Sequence, residues 1–117
     1  MSEAARPRVE YHEAVGVVTI AGEVDIIQAH ALRDRLLGAV RNEDLGLVID
    51  LSEATYIDSV GVSLLFELAE RLGERQLKLA VVLRDDGLVE RVLTMVDLRS
   101  VAEVQPTVET AISAISG

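Results

Sequence analysis

Residues 48–65 read V-I-D-L-S-E-A-T-Y-I-D-S-V-G-V-S-L-L. The run opens as an apolar strand that ends at Leu51 and closes as an apolar helical pattern that begins at Ser59. A short polar bridge joins them. Strand followed so closely by helix is the signature of an α/β unit, in which the helix crosses back over a parallel sheet. Asp58 and Ser59 stand where the helix starts. Backbone N–H groups point outward there, and the helix dipole favours negative charge. A hydroxyl at this point has two roles open to it. It can cap the helix, as Ser, Thr, Asp and Asn commonly do. It can instead carry a phosphate that the helix end tolerates well.

Three neighbouring details bear on that choice. One cap needs one residue, yet two cap-type residues are adjacent. Gly61 falls in the first turn, where glycine costs on the order of 1 kcal/mol relative to Ala; a residue without a side chain there lets another backbone come close. Tyr56, Val60 and Val62 set apolar groups around the polar point, as a recognition surface does.

Working outward, residues 1–8 read as a flexible terminus and residues 9–12 as a short strand. Residues 15–20, V-G-V-V-T-I, form a stronger strand rich in β-branched residues, and E-A-V-G between the two suits a hairpin. A-G-E-V-D then breaks the pattern. From about Gln28 the period is helical, with Leu32, Leu36 and Val40 on one face. Asn42, Glu43, Asp44 and Gly46 turn the chain into the buried strand 47–51. The second helix runs from Ser59 to about Leu72, with Gly61, Leu65, Leu68 and Leu72 in a stripe and Gly73 as C-cap. Glu67 and Arg71 pair on its wet side. Residues 77–83 are the next strand. Asp85-Asp86-Gly87 opens a third helix with Leu88, Val92 and Val96 in line. A last short strand at 101–104 precedes an amphipathic helix that Pro106-Thr107 starts. The order is ββαβαβαβα. It predicts a single α/β domain over residues 9–117: a mixed β-sheet, with an edge hairpin plus parallel strands, packed by about four α-helices.

Composition narrows the function. The chain has 117 residues, of which 50% are hydrophobic and only 3% aromatic, so the core is aliphatic. It has no Cys, which excludes disulfides and thiolate metal sites. A formal net charge of −9 disfavours nucleic acid and anionic membranes and suits a basic or mixed-charge protein partner. No apolar run approaches the roughly 20 residues of a membrane span, and the N-terminus lacks the apolar segment of a signal peptide, so the expected location is cytoplasmic.

A second candidate site is Gly22-Glu23-Val24-Asp25, between a strand and a helix. It reads either as a turn with an Asp cap or as part of a recognition surface. If the strands are parallel, this loop and the one before Ser59 share the carboxyl ends of neighbouring strands, where open α/β sheets carry function. Asp25 and Ser59 then form one patch. Asp25, Asp50, Glu53 and Asp58 invite a metal reading, but with 20 acidic residues in the chain their proximity in sequence means little, and no metal site is expected. His12 and His30 are isolated. No nucleophile–base pair, P-loop or dinucleotide fingerprint is present, so neither a catalytic residue nor a cofactor is expected.

Two motifs, G-E-V-D at 22–25 and the strand–D-L-S…I-D-S-V-G run at 48–61, resemble the STAS domain of bacterial anti-sigma factor antagonists (anti-anti-sigma factors), as do the element order and length. The resemblance covers about residues 9–115. It implies that Ser59 is a phosphoacceptor flanked by Asp58. It also implies that Asp25 and Ile26, with Asp58, Ser59, Val60, Gly61 and Val62, face a partner. That partner would be an anti-sigma factor with GHKL-type serine kinase activity. The unphosphorylated domain would bind it and free a sigma factor, phosphorylation would release the domain, and a PP2C-type phosphatase would reset it. The domain would be a switch and not an enzyme. One departure stands out: the family often places Thr, Ser or Asn at the first helix start, where this chain has Ile26-Ile27-Gln28-Ala29.

Rival readings are a constitutive STAS subunit of a lipid-transport or stressosome complex, with Ser59 only a helix cap, and a response-regulator receiver domain. The receiver reading lacks its acidic pair and its Lys. The edge strand at 9–12 also offers pairing to a second copy, as a homodimer.

Overall fold

The computed structural model describes residues 6–117, apart from the side chains of Arg6, Ile26, Ile27 and Gln28. Six strands form one mixed sheet among the described residues: β1 (Arg6–His12), β2 (Val15–Val24), β3 (Gly46–Asp50), β4 (Ala54–Ile57), β5 (Lys78–Val82) and β6 (Glu103–Gln105). The helices are α1 (Ile26–Gly38), α2 (Ser59–Glu74), α3 (Leu88–Met95) and α4 (Val108–Ser116), with a 3-10 turn at Leu98–Ser100. In space the strands run β1-β2-β3-β5-β6, and β4 pairs with β2. Only β1 is antiparallel to its neighbour; the β2–β3, β2–β4, β3–β5 and β5–β6 pairs are parallel. The expected edge hairpin and parallel strands are both present.

The alternation of side chains divides the core in two. On one face Val18, Ile20, Ile49 and Val81 meet Leu32 and Leu36 of α1, Leu65, Leu68 and Leu72 of α2 and Leu93 of α3. On the other, Val15, Val17, Val48, Ala80 and Val82 meet Ala111 and Ile115 of α4. Thr107 caps α4 through a reciprocal pair of bonds with Thr110.

Several boundaries differ from the sequence reading, each for a physical reason. β1 begins at Arg6, because Arg6, Pro7 and Arg8 pair with Ala21, Ile20 and Thr19; residues 1–5 lie outside the described residues. β2 does not end at Ile20 but runs to Val24, since its last residues gain β4 as a new partner. The polar bridge before Ser59 is therefore itself a strand. Gly22 makes this course affordable to the backbone: it sits at a register shift with φ 87°, a left-handed conformation that glycine adopts without a Cβ clash.

Gly73 is not the C-cap of α2. The helix continues through Glu74, and Gln76 takes the left-handed position at φ 61° while Leu77 N–H and Gln76 N–H donate to the Leu72 and Gly73 carbonyls. In α3 the buried residues are Val89 and Leu93, whereas Leu88 and Val96 are exposed, so its inner face is one position on from the expected line. α1 stops at Gly38, which leaves Val40 in the following turn. The last strand is 103–105 and not 101–104, because Val101 still belongs to the turn after the 3-10 helix. Asp44, in the turn expected before β3, is buried.

Candidate functional site

Val24 and Ile57 are the last paired residues of β2 and β4, which run parallel. The next residues, Asp25 and Asp58, therefore leave the sheet from adjacent strands, whose general spacing is about 4.8 Å. The Asp58 N–H donates to the Val24 carbonyl at 3.2 Å and ties the two exits together. α1 starts at Ile26 and α2 at Ser59, so two helix N-termini open next to each other at the carboxyl end of the sheet. Asp25 and Ser59 thus follow the ends of two paired strands at the same end of the sheet.

Asp58 is the N-cap of α2. Its backbone is extended (φ −100°, ψ −176°), and its Oδ1 accepts from the N–H groups of Val60 at 3.0 Å and Gly61 at 2.9 Å. Its carbonyl accepts from the Val62 N–H at 2.9 Å. One carboxylate oxygen thus satisfies two orphan donors of the helix end. Ser59 is consequently the first helical residue, exposed, and its hydroxyl has no hydrogen-bond partner among the described residues. Capping is done by Asp58, and Ser59 is left exposed.

Gly61 is buried. A Cβ there would stand 2.7 Å from both the Val24 carbonyl oxygen and Ile57 Cγ1. Its lack of a side chain is what allows the first turn of α2 to rest on the strand ends. Gly61 thus positions the site and presents no side chain to a partner. Val60 and Val62 are half-buried, and Tyr56 is 43% exposed beside them. Asp25 takes the N-cap position of α1: the Ala29 N–H donates to its carbonyl at 3.0 Å. The side chain of Ile26 lies outside the described residues. The sequence reading missed the Val24 carbonyl, which both receives Asp58 and abuts Gly61; the signal for it was the glycine itself.

The remaining acids do not gather. Asp50 is buried and accepts from the Ser52 N–H at 2.9 Å, and Glu53 pairs with Arg8 at 2.8 Å. Among the described residues no group of three or more His, Cys, Asp or Glu could hold a metal ion. His12 and His30 are exposed. No helix among the described residues is long and apolar enough to cross a membrane.

A different cluster stands at the opposite end of the sheet. Arg41 donates to Asp44 through Nε at 3.0 Å and Nη2 at 2.8 Å, and through its backbone N–H at 2.8 Å. Its guanidinium lies 3.9 Å from the Tyr11 ring centroid and also reaches the Glu13 carbonyl. Tyr11 in turn donates to the Ala39 carbonyl at 2.8 Å. Burial pushes the Asp44 carboxyl up, but the bonds from Arg41 outweigh it and hold the group below the usual carboxylate range. These contacts join the β1–β2 hairpin to the α1–β3 connection and lie away from Ser59.

A sheet with one antiparallel edge, helices on both faces and an exposed serine opening the second helix defines the class: the STAS domain matches residues 6–111, and the chain belongs to that family. It is 31% identical over 106 residues to the anti-sigma-F factor antagonist RsfB of Mycobacterium tuberculosis, covering 91% of this chain and 85% of that one. It is also similar to the crystal structure of an anti-sigma factor antagonist from Mycobacterium paratuberculosis, with a TM-score of 0.87 and 30% identity across the whole of both chains. The fold alone is shared with the anti-sigma factor antagonist SpoIIAA in its unphosphorylated form, with a TM-score of 0.77 at 18% identity over 96% of this chain and 97% of that one.

Proposed function

We propose that this STAS domain is an anti-sigma factor antagonist and that Ser59 is its phosphoacceptor. The observation that carries the reading is the division of labour at the start of α2: Asp58 caps the helix, which leaves the Ser59 hydroxyl exposed at an anion-tolerant helix end. The names of relatives at 30% and 31% identity support the same assignment. In this reading the unphosphorylated domain docks Asp25, Ser59, Val60 and Val62 on an anti-sigma factor with GHKL-type serine kinase activity, and a sigma factor is freed. The kinase moves the γ-phosphoryl of ATP to Ser59 Oγ; the hydroxyl proton is lost and ADP leaves. The domain is then released, and a PP2C-type phosphatase returns it to the binding form. The domain acts in the cytoplasm as substrate and switch, with no catalysis of its own.

Electrostatics supplies the release. Phosphoserine adds about −1.5 to −2 charge beside Asp58 and one strand away from Asp25. At ~5 Å and an effective dielectric near 20, one unit-charge pair is worth roughly 3 kcal/mol, less where water and salt screen it. A loss of about 1.4 to 3 kcal/mol already weakens binding about 10- to 100-fold. The helix end offsets roughly 0.3–1 kcal/mol of the repulsion within the domain and solvent screens more of it at exposed Ser59, whereas a partner surface packed on Ser59 excludes that water and meets the added charge directly.

A phosphorylation assay tests the assignment. The wild-type chain captures its partner from the native cytoplasm, the pair is incubated with ATP, and the phosphate is mapped by mass spectrometry. We expect one phosphate on Ser59 and none on the Ser59→Ala chain. Capture of a stable complex that leaves both chains unmodified would point instead to a constitutive subunit.

A further inference from the structure

We propose that the outer face of α2 carries a second contact for the same protein partner, a shallow groove that takes an apolar side chain flanked by Arg or Lys; this rests on the partner reading above. Ser59, Ser63, Phe66 and Glu70 follow one another at i, i+4, i+7 and i+11, and so share one stripe of α2. At 1.5 Å per residue Phe66 lies about 10 Å along the helix from Ser59. Ser63, Phe66, Glu67, Ala69 and Glu70 line one side of the groove, and Val101 lines the other. Phe66, the sole Phe of the chain, and Ala69 are half-buried against the core, while Val101 is 44% exposed.

The floor is thus apolar and the rim acidic. Glu67 is already engaged, by Arg71 at 3.3 Å and Arg33 at 3.7 Å. Glu70 is exposed and makes no ion pair among the described residues. An uncompensated carboxylate beside an apolar floor favours a cation-flanked apolar side chain and rejects an acidic one. The net charge of −9 acts in the same sense at longer range. An aromatic floor of this kind is also where interface energy concentrates. The Debye length in physiological salt is about 8 Å, so a phosphate on Ser59 is largely screened at Glu70, about 16 Å along the helix. The two contacts then divide the work: Ser59 switches, and the groove selects.

Calorimetry with the purified kinase-type anti-sigma factor that copurifies with the wild-type chain tests this. The titrants are the full-length wild type, Glu70→Arg, Val101→Ser, Ser59→Asp and the Ser59→Asp/Glu70→Arg double variant. Both groove substitutions are at exposed positions, and thermal melts confirm that each variant is folded. We expect Glu70→Arg to weaken binding about tenfold or more and Val101→Ser to weaken it less. The factor for Glu70→Arg should be the same with Ser59 or Asp at residue 59. Wild-type affinity in both groove variants, with Ser59→Asp weakened, overturns the groove and leaves the switch standing. Weakened groove variants with an unweakened Ser59→Asp would uphold the groove and remove the switch. A wild type that binds no anti-sigma factor overturns both.

Discussion

At residue 58 a single carboxylate oxygen does the capping that two adjacent cap-type residues were both equipped to do. The sequence displays the pair but not the assignment, because Asp and Ser have nearly equal preference for the position. The extended backbone of Asp58 decides it, and that conformation follows from the Asp58 N–H being fixed to the Val24 carbonyl at the end of a strand. Removing the cap should therefore cost stability at residue 58 and not at residue 59. We expect Asp58→Ala to lose about 1 kcal/mol, which lowers the melting temperature by roughly 4 °C in a domain of this size, and Asp58→Asn to recover most of it. Ser59→Ala should melt with the wild type. Thermal unfolding of the three variants is the check, and a loss at Ser59→Ala with none at Asp58→Ala would reverse the roles.

The elements that position the site were only partly legible. The parallel units announced themselves through apolar runs and helical stripes, and the Gly61, Leu65, Leu68, Leu72 stripe is the buried face of α2. β4 did not, because A-T-Y-I buries its two end residues and exposes the two between them, which is no two-residue alternation. α3 is apolar on several faces in sequence, so only packing selects Val89 and Leu93 over Leu88 and Val96. Gly61 was legible as an oddity, and its reason appears once β2, β4 and α2 meet. Adding a methyl group there should push α2 off the strand ends, since the new Cβ would stand 2.7 Å from the Val24 oxygen. We expect Gly61→Ala to lose about 1–3 kcal/mol despite the better helix propensity of alanine, measured by denaturant unfolding. An equal or higher stability would mean that the close approach carries no constraint.

Across the whole molecule the two ends of the sheet do different work. The carboxyl ends of β2 and β4 present Asp25, Asp58 and Ser59, while the opposite end is closed by Arg41 and Asp44. The Asp44 carboxyl is held below its ordinary value by Arg41, so its charged form is favoured by folding. Its contribution is fully present above the unfolded carboxylate range, near pH 4, and is lost as pH falls through the lower folded value. We expect acid unfolding of the wild type to set in below about pH 4 and the Asp44→Asn chain to show a shallower dependence there, followed by circular dichroism. An unchanged acid limb would remove Asp44 from the account.

The central claim concerns charge at residue 59, and the most direct measurement is the affinity of the captured anti-sigma factor for the unmodified chain against the chain carrying phosphoserine at Ser59. The account predicts about 10- to 100-fold weaker binding of the phosphorylated chain, which stays folded and melts within several degrees of the unmodified one. Equal affinity for the two forms would contradict it.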